Sequence, residues 1–217
     1  TLWCPAIGIQ AVLLIAVDRA GNRDTCIATI EVLDTIAPQA ICGELTLALD
    51  ATGIAVVNPN DLSIEQWDNC GIDSLWIAQD TFRVADLGQQ TVAFHVRDSS
   101  GNRDTCFWAI TIIDTLPPVA LCQPVTLALD EGGEALLSAA LVDAGSTDNS
   151  GIITSIGINR NVFTCAEKGQ WPITLTVTDG SGNIGACSTT VTVLDTTPPQ
   201  LTCQPITLLL DPAGLAT

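Results

Sequence analysis

The chain contains no methionine and no tyrosine, a single histidine, His95, and a single lysine, Lys168. Lysine and arginine together number 7 against 24 acidic residues, a formal net charge of −17. That deficit argues against nucleic acid as a partner, because neutralising phosphates takes clustered Lys and Arg. It favours multivalent cations or cationic partners instead. One lysine also leaves almost no route to the Lys–Asn crosslinks that toughen some surface stalks. No apolar run is long enough to span a bilayer: the longest, "IGIQAVLLIAV" at 7–17, is short and interrupted by Gln10. There is no G-x-S-x-G, no H-E-x-x-H and no glycine-rich phosphate loop, so no enzyme chemistry is expected. His95 falls on the outer side of "TVAFHVRD", opposite Val92, Phe94 and Val96, and reads as a solvated surface histidine. No N-x-[ST] sequon occurs.

Hydrophobic residues are plentiful at 47%, enough for packed cores despite the charge. Nine cysteines occur without C-x-x-C pairs or Cys/His clusters, which points away from zinc and toward disulfides in an oxidising, extracellular setting.

The chain repeats. "VRDSSGNRDTCFWAITIIDTLPP" (96–118) recurs as "VTDGSGNIGACSTTVTVLDTTPP" (177–199) and earlier as "VDRAGNRDTCIATIEVLDTIAP" (17–38). "LALD" stands at 47–50 and 127–130, and "LLLD" at 208–211. Cys26, Cys106 and Cys187 give offsets of 80 and 81 residues. The expected organisation is the end of one repeat (1–36), two whole repeats (37–116 and 117–197) and the start of another (198–217). The sequence opens in mid-repeat, so an earlier start is expected upstream.

Each repeat reads as strands. Leu45, Leu47 and Leu49 alternate with Thr46 and Ala48, as do Val125, Leu127 and Leu129, and Ile206, Leu208 and Leu210. "TVAFHVRD" turns at Gly101 into a returning strand with Cys106, Trp108, Ile110 and Ile112 on its inner face. Roughly seven short strands in eighty residues predict an all-β fold: tandem immunoglobulin-like β-sandwich modules of about 80 residues in a linear array. "DTIAP", "DTLPP" and "DTTPP" are linkers stiffened by proline.

"DTLPPVALC", the Asp-Asn loops, a phenylalanine six residues before a glycine (Phe82 and Gly88, Phe163 and Gly169) and the Asp-x-x-Gly-Asn turn ahead of a cysteine resemble the hyalin repeat (HYR) family throughout the chain. The resemblance implies extracellular immunoglobulin-like modules strung in tandem in adhesive and surface proteins. Similar repeats occur in giant secreted bacterial adhesins, which the lysine-poor, acidic composition also suits. It names no ligand.

Cysteines occupy four stations per repeat: after the linker (Cys42, Cys122, Cys203), in the Asp-Asn loop (Cys70, but Ser150), after the Phe-x pair (Cys4 and Cys165, but Val84), and opening the last strand (Cys26, Cys106, Cys187). In such a sandwich the first and last strands run parallel from the same end, so Cys42–Cys106 and Cys122–Cys187 are natural bridges. Pairing Cys26 with Cys42 would span roughly 25 Å in a linear array, against a disulfide's limit of about 7 Å. The third station of one repeat is expected to pair with the second station of the next. Cys4 then meets Cys70, Val84 meets Ser150 with both cysteines missing, and Cys26, Cys165 and Cys203 are left to partners outside the sequence.

The same end gathers acids: Asp34, Asp68, Asn69, Asp98 and Asn102 for one repeat, and Asp114, Asp148, Asn149, Asp179 and Asn183 for the next. Asp and Asn are ordinary turn formers, and Asp98 with Asn102 alone reads as a turn. The recurrence of a linker Asp, a loop Asp-Asn and a hairpin Asp-Asn points to Ca²⁺, which takes six to eight hard oxygens. Asp50, Asp130 and Asp211 read as turn residues at the opposite end. A competing use of the linker is O-glycosylation at Thr35, Thr115 or Thr196 within "DTI", "DTL" and "DTT". Trp67, Trp76 and Trp171 are expected mainly in core or joint packing. The expected function is a stiff extracellular stalk or filament, with neighbouring repeats and further copies in a fibre as partners. Alternatives are an array binding surface polysaccharide through Trp76 and Trp171, and an accessory region beside a secreted enzyme.

Overall fold

The structure, a computed structural model, describes residues 3–62, 66–209 and 212–214. Leu210 and Asp211 of the third "LALD"-type element lie outside the described residues. The chain divides into two compact units. One comprises Thr1–Pro118 with Asp148–Thr154 and Thr178–Ile184; the other comprises Val119–Thr147, Ser155–Val177 and Gly185–Thr217.

The first unit opens with an antiparallel hairpin, β1 (Gly8–Val17) and β2 (Arg23–Val32), turning at Gly21. Six strands follow: β3 (Glu44–Ala48), β4 (Ile54–Val56), β5 (Ile72–Ile77), β6 (Thr81–Arg83), β7 (Gly88–Asp98) and β8 (Arg103–Ile113). They form a four-stranded sheet in the order β3-β8-β7-β5 and a two-stranded sheet of β4 and β6. β3 and β8 run parallel, with Leu45 opposite Ile110 and Leu47 opposite Ile112; the other pairs are antiparallel. The two sheets share one core, in which Ala55 and Phe82 of the small sheet meet Val92, Phe94, Val96, Ile110 and Ile112 of the large one. This is a β-sandwich of immunoglobulin-like kind.

The alternation read from the sequence explains the core. Along β7 every second residue is buried, giving Val92, Phe94 and Val96, and the same beat makes Asp98 the last inward position. Gly101, at φ +93°, lets the hairpin reverse immediately afterwards.

Residues 119–197 carry matching strands: β9 (Val125–Ala128), β10 (Glu134–Leu136), β11 (Ile153–Ile158), β12 (Val162–Thr164), β13 (Gly169–Asp179) and β14 (Ile184–Leu194), with a short helix, α1 (Ala139–Val142). The sheets are β11-β13-β14-β9 and β10-β12, and β9 again lies parallel to β14. Phe163, Ile173, Leu175, Val177 and Val191 are fully buried.

Among the described residues each repeat holds six strands rather than the seven expected. Val84 and Cys165 therefore follow the fourth strand, where each opens a short 3₁₀ turn. Residues 198–209 form no strand. Their counterparts β3 and β9 are held by parallel pairing to the last strand of their own repeat.

Phe82 exposes none of its surface. Its replacement by alanine is expected to lower stability by about 3–5 kcal/mol, read as a lower urea midpoint at unchanged m-value.

Candidate metal centres

Two clusters of three carboxylates form where linker, loop and hairpin converge. Asp34 follows β2, Asp68 lies in the 66–70 loop, and Asp98 ends β7; one oxygen from each lies within 4.8 Å of the other two. Asp114, after β8, Asp148, in the second Asp-Asn loop, and Asp179, at the end of β13, repeat the arrangement. Asp98, Asp114 and Asp179 are buried; Asp34, Asp68 and Asp148 are half-buried. Two ionised carboxylates at that separation repel by roughly 3 kcal/mol at an effective dielectric of about 20.

The buried hairpin acids are held as anions by their own turns. Asp98 Oδ1 accepts the backbone N–H groups of Ser100 (2.9 Å) and Asn102 (2.8 Å), and Oδ2 accepts the Asn102 amide at 2.7 Å. Asp179 is held likewise by Ser181 and Asn183. Burial pushes both carboxyls up, but the hydrogen bonds from Asn102 and Ser100, and from Asn183 and Ser181, together outweigh it and leave both pKa values below the usual aspartate value.

Asn102 and Asn183 do more than form turns. The Asn102 amide also donates to the linker carbonyls of Asp34 and Ile36, both at 3.1 Å. Asn183 donates to those of Asp114 (3.2 Å) and Leu116 (3.3 Å). Their nitrogens clamp the linker, so the role found for these two residues is to place Asp34 and Asp114. Asn69 donates to Asp34 Oδ1 at 3.1 Å, and Asn149 to Asp114 Oδ1 at 3.2 Å.

Four acceptors at these clusters have no donor. Asp68 Oδ1, Asp114 Oδ2, Asp148 Oδ1 and Asn149 Oδ1 are buried and take no hydrogen bond. Oxygen atoms that can only accept, buried beside further anionic oxygens, match the donor set of a hard cation.

The loops beside the clusters are anchored in two ways. Cys70 is bonded to Cys4, with Cα atoms 5.3 Å apart. The bridge joins the segment before β1 to the loop whose Cys70 N–H donates to Asp68 Oδ2 at 2.7 Å. In the other copy the Ser150 N–H and hydroxyl both donate to Asp148 Oδ2, and the Asn149 amide donates to the Asp50 carbonyl at 3.1 Å. There Gly53 (φ +74°) packs so closely that a Cβ would lie 2.6 Å from the Asn149 carbonyl oxygen. Nothing in the sequence marks that contact except the glycine, which Asp50 already accounts for as a turn. Asp50 and Asp130 do cap their turns, through Thr52 and Ile54 in one and Gly132 and Glu134 in the other. The structure also bonds Cys42 to Cys106 and Cys122 to Cys187. Cys26, Cys165 and Cys203 are free and exposed. Thr35, Thr115 and Thr196 are exposed.

Two expectations about aromatic and ring residues change, those for His95 and Trp67. His95 is half-buried: its ring stacks on Trp76 with centroids 5.0 Å apart, and its Nδ1 lies 2.8 Å from the Thr105 hydroxyl. Trp76 and Trp171 are half-buried, as core or joint packing predicts, with Arg103 over the first ring and Arg160 over the second. Trp67 is 60% exposed rather than packed, and its backbone bridges Gln39.

Two outcomes follow. Because Asp98 and Asp179 titrate below their unfolded value of 3.8, their stabilising contribution is full above about pH 4 and is lost as pH falls through the folded values. Asn102→Ala removes the shortest hydrogen bond to Asp98, so acid unfolding followed by circular dichroism should begin at higher pH in that variant. Gly53→Ala, strained by its positive φ and by the Asn149 carbonyl, should lower the melting temperature by more than the small gain expected of Gly→Ala at a permissive site.

No protein-family model matches the chain. Among solved structures it is similar to the protocadherin γB4 extracellular domain (TM-score 0.38, 14% identity, covering 86% of this chain and 37% of that one) and to protocadherin γC5 EC1–3 (TM-score 0.37, 13% identity, 88% and 79%). In sequence it is similar to hyalin of Strongylocentrotus purpuratus, 29% identical over 201 residues, and to hyalin of Lytechinus variegatus, 28% identical over 205. The chain spans 16% and 38% of the length of those two proteins. These alignments cover 86% and 89% of the chain, so its likeness in sequence, over most of its length, is to hyalin.

Proposed function

We propose that the chain is part of a tandem array of hyalin-repeat-like sandwiches in an extracellular adhesive protein, and that Ca²⁺ binds where each linker meets the next repeat. The observation that carries the reading is the set of buried, donorless oxygens on Asp68, Asp114, Asp148 and Asn149, each beside a three-carboxylate cluster. Asp34, Asp68 and Asp98 hold one ion; Asp114, Asp148 and Asp179 hold the other, with Asn149 Oδ1 as a further ligand. The ion neutralises charges that otherwise repel, and because each site takes ligands from linker, loop and hairpin it fixes the linker's course. The Cys4–Cys70 bridge fixes the first linker covalently as well, an effect of about 4 kcal/mol on the chain-entropy account for a separation of 66 residues. The role is mechanical: holding repeats in a stiff stalk or filament. Neighbouring repeats and further copies in a fibre are its partners, and it performs no catalysis. The hyalin likeness and the three disulfides support an extracellular place. Among the described residues, no helix is long and apolar enough to cross a membrane.

Calcium titration by calorimetry should show two sites, and Asp114→Asn with Asp148→Asn should remove one. At a hundredfold excess over Kd each ion adds about 2.7 kcal/mol of stability, so the melting temperature should rise with Ca²⁺ and fall with EDTA. A melting temperature identical in Ca²⁺ and EDTA would overturn the metal assignment.

A further inference from the structure

The outer face of the sheet formed by β5, β7 and β8 stands apart chemically from the rest of the chain. In register across the three strands lie Trp76, His95 and Thr105, and beside them Ser74, Arg97 and Arg103. Phe107 follows two residues beyond Thr105 on the same face, its ring 64% exposed. Two of the chain's seven basic residues and its only histidine thus share one patch of a molecule with net charge −17.

The patch is poorly compensated from within. Arg97 and Arg103 sit directly opposite each other on neighbouring strands, a like-charge pairing that destabilises a sheet. Arg97 reaches Asp73 at 3.4 Å, yet its Nε is buried without an acceptor. Arg103 has no carboxylate partner among the described residues and rests over Trp76, 5.8 Å from the ring centroid.

The second copy of the sheet shows that the fold does not require this chemistry. The positions 81 residues on from Trp76, His95, Arg97, Arg103 and Phe107 hold Gly157, Thr176, Thr178, Ile184 and Ser188 on β11, β13 and β14. Those strands form the same sheet order without an aromatic or a cation at any of the five places.

We propose that this face binds an anionic polysaccharide. The paired guanidiniums supply planar, bidentate donors for a sulfate or carboxylate. The open ring of Phe107 lies two strand repeats, roughly 13 Å along β8, from Arg103, with Thr105 and its hydroxyl between them. A sugar stacked on Phe107 therefore places the acidic group of a sugar further along the same polysaccharide over Arg103 and Arg97. An acidic protein segment would use the same guanidiniums but has no comparable need of a flat, exposed ring. Trp76 acts beneath the surface, holding Arg103 and His95 in place. The inference stands apart from the calcium reading, since none of these residues belongs to either carboxylate cluster.

The test is binding of the full chain, in EDTA so that the metal sites play no part, to immobilised dextran sulfate and alginate. Unsulfated dextran and poly-glutamate serve as competing probes. The expected result is binding to at least one acidic polysaccharide, little to dextran or poly-glutamate, and a loss of tenfold or more in Arg103→Ile and in Phe107→Ser. Both variants introduce the residue that the second copy carries at the matching position, so folding, checked by circular dichroism, should be kept. Lys168→Ser, which removes one charge from a surface ion pair with Asp195 that is not part of this face, should bind as the parent does. Binding to neither acidic polysaccharide overturns the proposal, as does binding that survives Arg103→Ile. Equal binding to poly-glutamate would overturn it in favour of an acidic protein partner.

Discussion

A carboxylate that ends the inward-facing row of a β-strand has to be satisfied by the few residues around it. In β7 the row runs Val92, Phe94, Val96 and then Asp98, which exposes none of its surface. An ion buried without compensation costs several kcal/mol, and the chain answers by bending round it. Two backbone N–H groups and the Asn102 amide converge on Asp98. Because the same amide nitrogen also holds the carbonyls of Asp34 and Ile36, satisfying one buried charge fixes the course of the linker. The linker in turn carries Asp34 into the cluster. Asp179, Asn183 and Asp114 repeat this chain of dependence, with an equally buried aspartate at its root. The acid clusters are thus a consequence of strand periodicity extended by one residue past the apolar core.

Much of this is legible in the sequence, because periodicity and repeat offsets are local signals. Alternating apolar residues place Leu45, Leu47, Val92, Phe94 and Val96 inward, and the repeat aligns the acids of linker, loop and hairpin. The pairing of Cys4 with Cys70 can be reasoned out because Val84 and Ser150 lack cysteine together, a correlation that needs only two copies to be seen. Other features depend on contacts with no sequence signature. That the Asn102 amide nitrogen clamps the linker is revealed only by the positions of the Asp34 and Ile36 carbonyls. Gly53 reads as a turn glycine; that its bare Cα also makes room for the Asn149 carbonyl is a tertiary fact. His95 looks solvated in one dimension because its stacking partner, Trp76, belongs to a strand some twenty residues earlier.

Two anchoring devices serve one loop position, and the difference between them is informative. Where Cys70 is present, the Asp-Asn loop is tied by a covalent bond, and Asn69 turns its amide to Asp34 and to the Cys70 sulfur. Where Ser150 stands instead, the hydroxyl folds back on Asp148, and Asn149 reaches the Asp50 carbonyl over Gly53. Both arrangements leave a loop aspartate with one buried oxygen that has no donor, Asp68 Oδ1 in one and Asp148 Oδ1 in the other. A feature that survives a change from covalent to polar anchoring is not a by-product of either anchor. The donorless oxygen is common to both loops, whereas the manner of tethering varies.

The same comparison sorts the remaining surface. Two copies of one sheet within a single chain act as controls for each other, because what both keep is what the fold or a shared site needs. The buried aromatics Phe82 and Phe163, the parallel pairing of first and last strands, and the acid triads are common to both. The Trp76–His95 stack and the facing arginines are not; Gly157, Thr176, Thr178 and Ile184 occupy those places without disturbing the strand order. A like-charge pair that the second copy does without, on a molecule otherwise dominated by carboxylates, is only partly offset by Asp73 beside Arg97 and by the Trp76 ring beneath Arg103. An anion arriving from outside the chain would turn the remaining repulsion into attraction.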